Sequence, residues 1–377
     1  MKLIFFEYLG KDATVATFMK SPASRFSNIM RILAEVYGVK VIKVYTNVKE
    51  HFVHNIIDFL VTLGTLIIRL TVGSLKDGEV IFTVPGRSWL AGFLMKLIRP
   101  SIIWIADVND TGENEVVTDM LKNQRPYQYH ILKLFKRTIL MKTDFIVGTN
   151  YCVDQILENG YPNNKAIFLQ DGVNIESFMR GDGTRTRRRL NLIGKKIILY
   201  DGKLLYHYKI EKLIFAFAEV KQKIHEAVLL IVGDGPALLS LKEIASMLSL
   251  GDSVVFLGLQ PYSVMPDIVM SADVCVLPFA TVGLQVWEWL AVGKVVVAIR
   301  SENLEEHGLS HLKNCVFVDS SNDLSAGIEF ALNNENNLSH LSSNAISFAK
   351  KLDWKILVSS LYSVLIAKIN KKGENCL

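Results

Sequence analysis

Short apolar runs alternate with longer stretches of helical period along nearly the whole chain. Residues 3–6 form a first β-rich run. In 24–36, Phe26, Ile29, Met30, Leu33 and Ala34 fall three and four apart, the spacing of one helix face. The pattern predicts strands at 3–6, 40–45, 80–84, 102–106, 145–148 and 166–169, and helices at 24–36, 54–71, 87–98, 126–141 and 152–158. It restarts at Lys196, with strands at 197–200, 228–232, 254–256, 274–277 and 295–299 and helices at 210–223, 237–248, 266–270 and 285–291. Strands that alternate with helices imply parallel sheets covered on both faces. The expected fold class is therefore α/β: two Rossmann-like, doubly wound parallel-sheet domains facing across a cleft. The polar, basic stretch 181–189 reads as the connection between them. The expected domains are 1–184, 185–353, and a closing helix at about 354–370 that packs back on the first.

The 377 residues are half hydrophobic and 21% charged, which suits folded domains and excludes wholesale disorder. Net charge is +5, unevenly spread. Residues 1–200 hold 27 Lys and Arg against 18 Asp and Glu; residues 201–377 hold 15 against 19. A basic first half points to an anionic partner. Cys152, Cys275, Cys315 and Cys376 are far apart with no C-x-x-C pair, which argues against a disulfide framework or cysteine zinc site and suits a reducing compartment. The opening reads as a buried strand, with no secretory leader. The longest apolar stretch, 56–70, is broken by Asp58 and Arg69 and is short for a membrane span.

Several residues fall where open parallel sheets bind ligands, at strand carboxyl ends. Gly283 precedes a helix, so the N–H groups of Leu284 and Gln285 and the helix dipole favour a phosphate there. Glu288, a turn further in, can accept two hydrogen bonds from a ribose diol, although a glutamate early in a helix also simply favours the dipole. Lys203 and Lys209 follow the strand at 197–200. Two cations there could neutralise a diphosphate and help it leave without a metal, or could be ordinary surface lysines. Gly233-Asp234-Gly235-Pro236 is a tight turn without the spacing of a dinucleotide fingerprint.

Taken in order, these segments resemble the retaining nucleotide-sugar glycosyltransferases of family 4, which have the GT-B fold. Gly202-Lys203-Leu204 with Lys209 is similar to that family's G-R-L…K segment. Gly233-Asp234-Gly235-Pro236 resembles its G-x-G-P turn, and Val254 to Gly258 its V-x-F-x-G strand. Ala272 to Pro278 resembles A-D-V-x-V-x-P, and Glu288 to Lys294 the E-Y/A-x-A-x-G-K segment. The resemblance implies that Lys203 and Lys209 bind the donor diphosphate, with Lys209 also serving catalysis. It places Glu288 on the ribose, the backbone of Gly283, Leu284 and Gln285 on the phosphates, and Gly258 and Leu259 beside the base. It departs at Ala280, which stands where the family carries a first glutamate that contacts the donor sugar.

In the first half, Asp107-Val108-Asn109-Asp110 resembles the D-x-R-D stretch of members acting on lipid-linked acceptors, with Asn109 for Arg. Asp110 is the expected catalytic residue, placed to orient or deprotonate an acceptor hydroxyl, though it would equally suit a solvated loop or a helix cap. Ser24, Arg25 and Asp107 are the expected acceptor-side residues; Ser24 and Arg25 lie at a turn that could meet an anionic acceptor, and would equally suit a helix start. No Asp-x-Asp occurs, so no metal is expected, and no cofactor beyond the nucleotide sugar as co-substrate. Basic amphipathic helices at 87–99 and 125–141 suggest reversible docking on an anionic membrane. The expected place is the cytoplasm, with peripheral association at the inner face of the membrane. Nucleic acid is not an expected partner. The expected function is sugar transfer to a saccharide or lipid-linked acceptor. A non-catalytic GT-B subunit and a GT-B nucleotide-sugar epimerase stay open as alternatives.

Overall fold

The computed structural model describes residues 2–9, 25–47, 80–83, 88–109, 127, 134, 137–334 and 338–374. Its chain forms two units: Met1–Asp171 with Trp354–Leu377, and Gly172–Asp353.

In the first unit the strands are β1 (Lys2–Leu9), β2 (Lys40–Asn47), β3 (Val80–Thr83), β4 (Ile103–Asp107), β5 (Phe145–Gly148) and β6 (Ala166–Phe168). They lie in the order β2-β1-β3-β4-β5-β6, all parallel. Helices α1 (Arg25–Glu35), α2 (Ser88–Ile98) and α3 (Asn150–Glu158) flank the sheet. Successive side chains of a strand point to opposite faces, and β4 shows the consequence. Ile103 and Ile105 join a core with Ile29 and Leu33 of α1, while Trp104 and Ala106 join the opposite one with Trp89 and Met95 of α2. Gly92 of α2 lies against the Trp104 indole, so close that a Cβ there would come within 2.3 Å. The expected helices at 54–71 and, for most of its length, 126–141 lie outside the described residues.

The second unit has β7 (Lys196–Asp201), β8 (Ala227–Val232), β9 (Val254–Gly258), β10 (Val274–Leu277), β11 (Val295–Ile299) and β12 (Val316–Val318), in the order β12-β11-β10-β7-β8-β9. All are parallel. Every residue of β8 is buried, as befits a strand covered on both faces. Its helices are α4 (Ile175–Met179), α5 (Gly183–Arg189), α6 (Glu211–Lys223), α7 (Leu238–Met247), α8 (Met265–Ser271), α9 (Leu284–Ala291), α10 (Glu302–Glu306), α11 (Leu324–Asn333) and α12 (Ser339–Lys350). The last strand and two helices, past residue 315, go beyond the elements expected from the sequence.

The division falls between Asp171 and Gly172, not at 184/185. The stretch 181–189 is not a linker but part of the second unit, because its glycines serve helix packing. A Cβ on Gly181 would meet the Pro266 carbonyl oxygen at 2.5 Å, and one on Gly183 that of Met270 at 2.5 Å. Asp182 N–H donates to Asp267 Oδ1 at 2.7 Å, and Arg187 Nη2 reaches both oxygens of Asp273 at 2.8 Å. Polar composition here builds a bonded α5–α8 contact. The helix α13 (Trp354–Glu374) lies in the first unit. Trp354, Val358, Leu361 and Leu365 recur at helical spacing and enter the core of α1, and Tyr362 stacks on Tyr37 at 4.1 Å.

Candidate functional site

The second unit's strand order reverses at β7: β8 and β9 lie to one side, β10 to the other. The carboxyl ends of β7 and β10 therefore mark a switch point, where such sheets open a crevice. Three glycine turns meet beside it. Gly202 N–H donates to Val232 O at 3.0 Å, Gly233 N–H to Gly258 O at 2.9 Å, and Leu204 N–H to Asp234 O at 3.0 Å. Gly233 has φ +132°, and a Cβ on it would stand 1.9 Å from the Gly202 oxygen. Only glycine permits this approach. A register shift in the β8–β9 pairing sets Gly258 opposite Val232, so one backbone seam joins the ends of β7, β8 and β9.

Gly283 caps α9 in an extended conformation (φ −119°). The Gln285 amide folds back, and its Nε2 would lie 3.6 Å from a Cβ placed on Gly202, so the start of α9 stands over the end of β7. The loop before it is tied down: Ser301 Oγ donates to Ala280 O at 2.8 Å, and Val282 N–H to Asn303 Oδ1 at 3.1 Å. Ala280 is exposed. Lys203 and Lys209 are both exposed. Lys209 sits in the left-handed region (φ 54°), ending the turn Tyr206–Tyr208 before α6. Tyr200 OH donates to Lys203 O at 3.0 Å, and Tyr208 stacks on Phe279 at 4.3 Å, bracing the Lys203–Lys209 loop against the end of β10. Leu259 is exposed.

Glu288 is buried, and its Oε1 accepts a hydrogen bond from Tyr262 OH at 2.8 Å. Burial, with the nearby charge of Asp201, pushes its carboxyl up to about 8; the Tyr262 bond opposes this. Asp201 ends β7, buried, and accepts from Trp289 Nε1 at 2.6 Å; burial pushes it up to about 7. Burial and the adjoining Glu288 charge push the Tyr262 hydroxyl well above its ordinary range. Sequence reasoning gave no role to Asp201, Tyr262 or Trp289. An acid closing an apolar strand signals Asp201. Nothing local signals Tyr262, which reaches Glu288 only through the fold.

In the first unit the expected acceptor-side residues are engaged with each other. Arg25, expected to meet an acceptor directly, is buried: its Nε donates to Asp107 Oδ2 at 3.0 Å and its Nη1 to Asp171 Oδ1 at 2.8 Å and Gln170 O at 3.1 Å. Asp107 is fully buried rather than facing solvent. It also accepts Asn109 N–H at 2.8 Å, while Trp89 Nε1 donates to its carbonyl at 3.0 Å. Burial pushes Asp107 up against the pull of Arg25; the two acids outweigh burial and push Arg25 up. Asp110 and Ser24 lie outside the described residues. Lys96, expected on a membrane-facing surface, is turned inward onto Asp144 at 2.8 Å and the Pro100 and Ile102 carbonyls.

Comparison with solved structures assigns the fold. The chain matches Anabaena HepE in complex with UDP-glucose at a TM-score of 0.73 and 15% identity, over 97% of this chain and 100% of that one. It matches sucrose-phosphate synthase of Thermosynechococcus elongatus at 0.69 and 20% identity, over 97% and 99%. The architecture is GT-B, the two-unit α/β fold of a large class of glycosyltransferases. Residues 184–348, most of the second unit, match the family model of the glycosyl transferases group 1. Among curated proteins, the alpha-monoglucosyldiacylglycerol synthase of Streptococcus pneumoniae is 27% identical over 194 residues, 49% of this chain and 42% of that protein. The matched segments span between 30% and 42% of the curated relatives' lengths.

Proposed function

We propose that the protein transfers a sugar from a nucleotide diphosphate sugar to a saccharide or lipid-linked acceptor, without a metal and with retention at the anomeric carbon. The reading rests on one observation, the switch-point seam. Glycine turns from three strands, the uncapped N–H groups of α9 and the buried Glu288 are held along one sheet edge, with Lys203 and Lys209 on the loop after β7. Exposed N–H groups and a helix dipole favour a diphosphate, two ammonium groups offset the charge of the leaving nucleotide, and a carboxylate suits a ribose diol. UDP-glucose bound to HepE and the monoglucosyldiacylglycerol in the name of the pneumococcal relative support a nucleotide-sugar donor and a lipid-linked acceptor. Docking on anionic membrane is part of the proposal, supported by Leu97, Ile98 and Leu134, exposed on the first unit; it predicts co-sedimentation with anionic but not neutral liposomes. Among the described residues no helix is long and apolar enough to cross a membrane.

The test is a thermal-shift panel of UDP-, GDP-, ADP- and dTDP-glucose on wild type and Lys209→Ala. One nucleotide sugar at about 100 times its Kd adds ~2.7 kcal/mol of apparent stability, and less to the variant. No stabilisation by any of the four refutes the donor site. A second reading, a non-catalytic subunit, draws on Ala280, exposed on a loop pinned by Ser301 and Asn303 with no carboxylate of its own. Slow release of nucleoside diphosphate from the stabilising donor decides for the enzyme.

A further inference from the structure

The cluster at the carboxyl edge of the first unit's sheet has an unusual balance of donors and acceptors. One guanidinium, Arg25, lies between two carboxylates, Asp107 and Asp171. Its positive charge is already answered, so the cluster has no surplus with which to hold a phosphate. Asp107 is sealed from solvent. Asp171 is not: its side chain is 27% exposed. Asn109 locks it in place, its Nδ2 lying 3.2 and 3.3 Å from the two Asp171 oxygens while its Oδ1 accepts the Thr149 N–H at 2.8 Å. Among the described residues, Asp171 Oδ1 thus receives Arg25 and Asn109, whereas Oδ2 receives only the longer Asn109 contact. A carboxylate oxygen has two lone pairs, so Oδ2 keeps acceptor capacity.

The second observation is a missing partner. Arg25 is 6% exposed, and its Nη2 is buried with no hydrogen-bond partner among the described residues. Around the planar guanidinium Nη2 stands between Nε and Nη1, that is, between the nitrogens that hold Asp107 and Asp171. A buried charged donor left without an acceptor is rare and points to a group that completes it. The cluster therefore offers an open carboxylate oxygen to accept an O–H and an unfilled N–H pair to donate to an oxygen. A hydroxyl-bearing neutral molecule can satisfy both; an anion meets Asp171 first.

We propose that Arg25, Asn109 and Asp171 form a binding site for an uncharged polyol, a sugar or glycerol moiety, and that it discriminates against the phosphorylated form. As the identity of the acceptor, this rests on the transferase reading; as a binding site, it does not. Asp171 receives the ligand hydroxyl, Arg25 Nη2 donates to a ligand oxygen while its other nitrogens hold Asp107 and Asp171, and Asn109 is the positioning residue that fixes Asp171.

The experiment is ligand-observed NMR titration of the full chain with methyl α-D-glucopyranoside, methyl α-D-mannopyranoside and glycerol, and with glucose 6-phosphate, mannose 6-phosphate and sn-glycerol 3-phosphate. Wild type is expected to bind at least one neutral polyol, and its phosphate ester about tenfold more weakly. Asp171→Asn removes the ligand-facing charge and leaves Arg25 less answered. It is expected to weaken the neutral ligand about tenfold, the scale of one charge-assisted hydrogen bond, and to narrow or invert the preference over the phosphate ester. Asn109→Ala, which frees Asp171 without changing charge, is expected to weaken the neutral ligand while keeping the preference. The proposal is overturned if wild type prefers the phosphorylated ligands, if neither variant alters binding, or if no polyol binds at 50 mM. A nucleotide sugar that still raises the melting temperature in that last case leaves the donor reading standing and removes the polyol site alone.

Discussion

The buried carboxyl of Glu288 makes stability depend on pH in a way that a single isosteric change should abolish. Its value rises from an ordinary 4.5 to about 8 in the folded chain. Folding therefore takes up a proton between these values. The protonated group costs nothing below pH 4.5, and a penalty grows from there until pH passes 8. At ~1.36 kcal/mol per tenfold change in proton affinity, the ceiling is ~5 kcal/mol; relaxation and water entry should reduce it to ~2–3 kcal/mol. Glu288→Gln keeps shape and an acceptor for Tyr262 OH but cannot ionise. It should match wild type within ~1 kcal/mol at pH 5 and exceed it by ~2–3 kcal/mol at pH 8.5. For the 172–353 unit this is a gain of roughly 5–10 °C in melting temperature. Differential scanning calorimetry at the two pH values, without nucleotide, measures it. An offset that stays constant with pH, or a variant less stable at pH 8.5, would show that Glu288 is ionised in the folded protein and would refute the reasoning.

Three further outcomes follow from the same geometry. If Glu288 accepts the ribose hydroxyls as a carboxylate, UDP binding near pH 7 should release up to one proton, seen as a calorimetric enthalpy that varies with buffer ionisation heat; buffer-independent enthalpy would contradict that role. Gly233→Ala should cost more than ~3 kcal/mol or prevent folding of the second unit, because its Cβ would lie 1.9 Å from the Gly202 oxygen at a φ of +132°; a melting temperature within 2 °C of wild type, about the shift of ~1 kcal/mol, would count against the close approach. Arg187→Ala should lower stability by ~2–4 kcal/mol in urea unfolding. The bonds from its Nη2 to both oxygens of Asp273 and from its Nε to Ser271 O at 3.0 Å are part-buried, and loss leaves Asp273 holding, among the described residues, only the Ile197 N–H; no change would make the α5–α8 contact incidental.

What was legible in the chain and what was not separates along physical lines. Short apolar runs and period-3.6 patterns are local, so the strand–helix alternation and the parallel sheets could be read directly from runs such as 102–106 and from the spacing of Phe26, Ile29, Met30 and Leu33, whereas the two faces of β4, apolar throughout, could not. The turn at Gly233 was visible as a turn, and Gly202 and Gly258 as glycines of neighbouring motifs, but their meeting is a product of strand order, which local sequence does not encode. Composition misled at 181–189, where glycine and arginine look the same in a linker and in a tight helix contact; only packing against Pro266 and Met270 tells them apart. It misled again at Asp107, read as available to a ligand although Arg25 and burial enclose it, because charge is written in the sequence whereas neutralisation is not. Asp171 lies 146 residues from Arg25, and Tyr262 lies 26 from Glu288. The sequence determined which elements form and which chemical groups the chain carries; the tertiary structure alone decided which groups are paired, buried or open, because hydrogen bonds and desolvation depend on distance in space, not along the chain.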